Sequence, residues 1–121
     1  MGRDHFREKL MRLLEKIDGN VDAILVEGVR DEKALRRIGV KTEILRINMY
    51  GMNILNLVEY LEEKYRGRRI IVLSDFDNEG LRLNRRIEVE IEGRGVKVEK
   101  SLREKLRILM AKYGKRKIEE L

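Results

Sequence analysis

Short unbroken apolar runs alternate along this 121-residue chain with longer stretches in which apolar residues recur every three or four positions. Phe6, Leu10, Leu13, Leu14 and Ile17 share one helical face, which predicts a helix over about residues 4–18 with Gly19 placed to stop it. Ala23-Ile24-Leu25-Val26 is too brief for a helix and reads as a strand buried on both faces. Asp31 is placed to cap a short helix with Ala34, Leu35 and Ile38 inward and Gly39 at its end. Ile44-Leu45-Arg46-Ile47 reads as a second strand. Asn53 then opens a helix with Ile54, Leu57, Val58, Leu61 and Tyr65 on one face, closed by Gly67.

Ile70-Ile71-Val72-Leu73 is the strongest buried-strand signal and runs straight into Ser74-Asp75-Phe76-Asp77-Asn78-Glu79-Gly80. The stretch from Leu81 to Glu92 is ambiguous: Ile87, Val89 and Ile91 alternate like a strand. A helix is the better reading, because Val96-Lys97-Val98 can pair in parallel with the preceding strand only after a crossover. Ser101-Leu102-Arg103-Glu104 has the capping-box pattern and predicts a last helix over residues 101–113, ended by Gly114. Strict alternation of helix and strand implies an α/β domain with a parallel sheet and helices on both faces. No linker or repeat divides the chain, so residues 1–121 are expected to form one domain.

Composition narrows the chemistry. With no Cys and one His, disulfides, thiolate nucleophiles, cysteine-ligated zinc and histidine-based triads are excluded or improbable. No apolar run nears the ~20 residues a membrane helix needs, so a soluble, cytoplasmic protein with no membrane partner is expected. Charged residues make up 41%, with a net charge of +6. That excess suits either surface ion pairs of a thermophile or an electrostatic footprint for nucleic acid. Most of it falls from Lys100 onward, where eight basic residues face three acidic ones.

In a doubly wound sheet, functional groups gather beyond the carboxyl ends of the strands where strand order reverses. With the sheet ordered 2-1-3-4, Glu27 after the first strand faces Asp75 and Asp77 after the third across one crevice. Converging carboxylates repel one another unless a hard cation lies among them, and oxygen-only ligation suits Mg²⁺ or Mn²⁺. The same acids could instead cap the following helix and pair with surface Arg. His5 reads as an exposed terminal residue, Tyr50 and Gly51 as a loop packing on the sheet, and Met49, Met52 and Met110 as packing.

The two segments ILVEGVRDEKAL and VLSDFDNEGLRL, each at the end of an apolar strand, resemble the two motifs of the Toprim domain. That domain is shared by topoisomerases, bacterial primases, OLD-family nucleases and the maturases of 5S ribosomal RNA. The resemblance covers about residues 23–98 and is similar above all to small stand-alone Toprim proteins and the maturases. It implies a Rossmann-like sheet, Glu27 as general acid or base, and Asp75 and Asp77 as Mg²⁺ ligands, with Glu79, aligned to a more variable acidic position, as a further metal ligand. Gly28 and Gly80 would let backbone approach a phosphate, and each also fits an ordinary strand-to-helix turn. Arg82, Arg85 and Arg86 share one face of the helix leaving this site, and Arg30 and Lys33 follow Glu27, so all five could track a phosphate backbone.

The expectation is a stand-alone Mg²⁺-dependent protein, monomer or homodimer, that cleaves or processes RNA or DNA. The alternative is a non-catalytic module that binds nucleic acid or a ribonucleoprotein and keeps the metal site.

Overall fold

The computed structural model describes residues 2–48 and 53–121, with the side chains of residues 2–4 excepted. The readings for Met49, Tyr50, Gly51 and Met52 lie outside the described residues. Among the described residues five helices and four strands alternate in the order α1 (Gly2–Asn20), β1 (Ala23–Val26), α2 (Val29–Ile38), β2 (Glu43–Arg46), α3 (Ile54–Tyr65), β3 (Arg69–Leu73), α4 (Asn78–Glu92), β4 (Lys97–Val98) and α5 (Ser101–Lys112). A 3-10 turn, Ile118–Glu120, follows α5. The strands form one sheet in the order β2-β1-β3-β4, and every pairing is parallel. The expected α/β architecture is therefore present.

Alternation along each strand sorts its side chains between two cores. Ile24, Val26, Ile44, Ile71 and Leu73 pack under α1, α2 and α5, together with Leu10, Ile17, Leu35 and Leu106. Ala23, Leu25, Leu45, Ile70 and Val72 pack on the other face against Leu57, Val58 and Leu61 of α3 and Ile87 and Ile91 of α4. Each large aliphatic side chain buried this way contributes about 1.5–3 kcal/mol. Both faces of β1 and β3 are covered, which is why these strands read as unbroken apolar runs.

Boundaries differ from expectation where local hydrogen bonding outweighs residue type. Helix α1 runs through Gly19 to Asn20, because Val21 N–H still donates to Ile17 O and the next turn is completed without a left-handed residue. Asp31 does not precede α2. It sits inside the first turn and reaches back to accept the Gly28 N–H at 3.0 Å. Ser101 is likewise inside α5, with Lys100 at the cap position; Glu99 serves instead, accepting the Leu102 N–H at 3.1 Å. The ambiguous segment after Leu81 is helical throughout, since Ile87 and Ile91 are one turn apart and both fully buried.

Candidate functional site

Strand β1 is the point from which the chain departs in both directions across the sheet, first to β2 and then, through α3, to β3. The crevice beyond the carboxyl ends of β1 and β3 is therefore the topological switch point. Pairing of Val26 with Leu73 brings Glu27 and the Ser74-Asp75 turn side by side, and the Asp75 N–H donates to Glu27 Oε2 at 2.8 Å. A hollow of about 480 Å³ opens there, lined among others by Glu27, Gly28, Arg30, Asp31, Asn48, Asp75 and Glu119.

Glu27, Asp31 and Asp75 accept hydrogen bonds from backbone N–H groups and form no ion pair among the described residues, although Arg30 lines the crevice and Arg103 lies within electrostatic reach of Glu27. Asp75 Oδ1 accepts from the Ile118 N–H at 2.9 Å. Burial pushes the Asp75 carboxyl up to about 6, and the neighbouring charges of Glu27, Asp31 and Asp77 push the same way against the Ile118 hydrogen bond. Asp31, 7% exposed, is also raised by burial and by the charge of Glu119, with the Gly28 N–H opposing.

Placement of the other expected site residues is mixed. Asp77 is the N-cap of α4, its Oδ1 accepting the Gly80 N–H at 2.8 Å, so one of its two oxygens is committed to the helix. Glu79 is exposed in the first turn of α4 and does not line the crevice. Gly80 is required for packing: a Cβ there would lie 2.1 Å from the Asp75 carbonyl oxygen, while its own carbonyl accepts from Ser74 Oγ at 2.8 Å. Its N–H and C=O are thus both engaged within the protein, and it is not a surface for phosphate approach. Gly28 lies at the crevice wall in an extended conformation open to other residues. Among the described residues, no three acidic or histidine side chains are arranged to hold a metal ion by themselves. The structure thus brings Asp75 to Glu27 and leaves Glu79 outside.

Exposed basic side chains stand on helices of both faces of the sheet, and of these Arg30 lines the crevice. On α2, Arg30 and Lys33 are exposed and border a smaller hollow together with Arg37 and Glu119. On α4, Arg82, Arg85 and Arg86 are exposed and form no ion pair among the described residues. The C-terminal surplus is less available than its count suggests. Lys100 pairs with Glu92 at 2.8 Å, Arg107 pairs with Glu104, and Arg103 is buried.

Three contributors escaped sequence reasoning. Asp31 was visible only as a helix cap, and Asn48 follows β2 without any motif. Glu119 arrives through a C-terminal segment that docks by the Phe76 N–H to Arg116 O bond at 2.7 Å and by fully buried Ile118.

Over 114 residues the chain is 34% identical to a UPF0292 protein of Thermococcus gammatolerans, covering 94% of this chain and 81% of the relative. A UPF0292 protein of Methanocaldococcus jannaschii is 33% identical across 100% of this chain and 93% of its own. A solved structure of a protein from Aquifex aeolicus superposes with a TM-score of 0.72 at 27% identity, over 94% of this chain and 96% of that one. No family model matches the chain. These findings overturn the Toprim resemblance, since the relatives carry the UPF0292 name and no Toprim model matches. The two motifs are strand-end acids of a parallel sheet, a feature of fold position that does not by itself carry family membership. Roles for Glu27, Asp75 and Asp77 must accordingly rest on their own geometry.

Proposed function

The chain belongs to the UPF0292 family, and on that premise we propose that it is a divalent-cation-dependent protein that acts on nucleic acid and cleaves phosphodiester bonds at the switch-point crevice. The observation that carries this reading is the group of acids at the strand ends, which form no ion pair among the described residues and in which burial and the charges of Glu27 and Asp31 raise Asp75. A divalent cation relieves that repulsion. Mg²⁺ keeps several waters and commonly rests on one or two carboxylates plus a substrate phosphate, so the lack of a three-acid cage fits it. The oxygens of Asp75 and Asp77 that accept no backbone N–H would hold the ion, which leaves Glu27 beside it to act on a proton. Bound there, the ion supplies neutralisation of the phosphate oxygens as charge develops on them.

The chain's own residues supply the rest. Arg30 and Lys33 on α2 and Arg82, Arg85 and Arg86 on α4 position the backbone of the nucleic acid from opposite sides. Glu27 takes a proton from the attacking water as the water oxygen bonds to phosphorus. The bond from phosphorus to the leaving sugar oxygen breaks, and that oxygen is protonated from solvent. The reading places the protein in the cytoplasm, and the dense surface ion pairs are read as heat adaptation.

Incubation with structured RNA and with single-stranded DNA under Mg²⁺ or Mn²⁺ tests the reading. Cleavage by the wild type that is lost in Glu27→Gln and Asp75→Asn supports it; no cleavage, or equal cleavage by the variants, overturns it. One observation favours a second reading, a binding module without turnover: oxygens of Glu27, Asp75 and Asp77 already accept backbone N–H groups. That reading expects salt-dependent binding and no product.

A further inference from the structure

Arg103 stands where helix electrostatics disfavours a cation, in the first turn of α5, and it is only 6% exposed. The edge of β3 explains its position. Along that edge Arg68 O and Ile70 O accept from Lys97 N–H and Glu99 N–H, each at 2.8 Å. The next carbonyls on the same edge, those of Val72 and Ser74, lie past the end of β4, which is only two residues long. Arg103 Nη1 donates to both, at 2.7 and 3.1 Å. One side chain therefore continues the hydrogen bonding that a longer β4 would have made.

The same guanidinium lies over the Phe76 ring, 4.3 Å from its centroid. Asp75 is thus gripped on either side, through the Ser74 carbonyl and through the Phe76 ring. Its own N–H points to Glu27, and the N–H of Phe76 holds the C-terminal segment through Arg116 O. Arg103 Nη2 makes no hydrogen bond among the described residues, although Glu88 and Glu27 lie within electrostatic reach.

We propose that Arg103 is the positioning residue of the crevice: by holding the Ser74 carbonyl and the Phe76 ring it fixes the Asp75 turn against Glu27 and the C-terminal segment. This assignment rests on the reading of the crevice as a cation and phosphate site. A filler of the α5 interface could be replaced by an apolar side chain of similar length with little local effect. A positioning residue could not.

Amide hydrogen exchange on wild type, Arg103→Met, Arg103→Lys and Leu61→Ala separates the two, Leu61 being fully buried on the opposite face of the sheet. In Arg103→Met the amides of Asp75 and Phe76 should exchange at least about tenfold faster than global opening accounts for. Lysine, which keeps a charged donor, should restore much of their protection, and Leu61→Ala should speed all core amides together. If the Met variant does not fold, Arg103→Gln provides the same comparison. Asp75 and Phe76 amides that merely follow the core in every variant overturn the assignment. A Mn²⁺ titration supplies the second readout, with affinity expected to fall about tenfold in Arg103→Met and to recover in Arg103→Lys. Unchanged affinity in Arg103→Met, with the wild type binding, overturns the positioning role alone. A wild type that binds no Mn²⁺ overturns the crevice reading, and the exchange comparison then still decides whether Arg103 holds the turn.

Discussion

Two acid-bearing regions of this molecule are built from the same residue types and have opposite electrostatics. Near the outer face of α3, Glu43 accepts from Tyr65 Oη at 2.6 Å and from Lys64 Nζ at 2.9 Å, and Glu62 meets both Arg66 and Arg94. The Tyr65 hydrogen bond and the Lys64 ammonium hold Glu43 below the usual carboxylate range, and Arg66 and Arg94 do the same to Glu62. At the strand ends, Asp75 and Asp31 accept from backbone N–H groups and form no ion pair among the described residues, and burial moves both upward. A chain with 28 basic residues could have neutralised them. The contrast teaches that the strand-end acids cost the fold stability that the α3 acids do not, which is the pattern expected where a site is kept ready for a cation.

The largest expected effect breaks the contrast at its centre. Asp75→Asn should lower cleavage by about 10²–10³-fold, because it removes the carboxylate charge while keeping the shape; product formation under Mg²⁺ measures it. Gly80→Ala should come next. A Cβ 2.1 Å from the Asp75 carbonyl must push the turn or the helix aside, destabilising the fold by about 1–3 kcal/mol in chemical denaturation and lowering activity with it.

A smaller effect has the opposite sign. The Asp75 carboxyl is raised from 3.8 to about 6, so protonation favours the folded state. Its contribution to stability is fully present below about pH 4 and is lost as pH rises through about 6. Asp75→Asn should therefore be more stable than wild type at pH 7, by about 1–2 kcal/mol after allowance for solvent screening, with the difference closing toward pH 4. Denaturant melts of both proteins across that range provide the check. The smallest effect sharpens the contrast from the other side: Glu43→Gln should cost about 0.5–1 kcal/mol at neutral pH and leave nucleic-acid cleavage unchanged.

What the sequence made legible follows the range of the interactions involved. The strands of the sheet centre announced themselves because burial on both faces leaves an unbroken apolar run, and Glu27 and Asp75 were found because they directly follow such runs. Asp31 was misjudged because its carboxylate reaches backward to Gly28, a choice between two local hydrogen bonds that spacing cannot decide. Arg103 was hidden in a basic stretch that looked solvated. Its burial depends on how short β4 is relative to β3, which only the assembled sheet reveals. Glu119 depends on a three-residue turn with no periodicity to read. The Toprim resemblance failed for a related reason, since acids after two parallel strands are set by the architecture and two short motifs sample little else.

A Mn²⁺ binding titration on wild type, Asp75→Asn and Glu43→Gln, followed by electron paramagnetic resonance, tests the central claim most directly. A saturable site in wild type and in Glu43→Gln that disappears in Asp75→Asn is the predicted result. Equal binding in all three, or binding in none, would contradict the assignment of the strand-end crevice as a cation site.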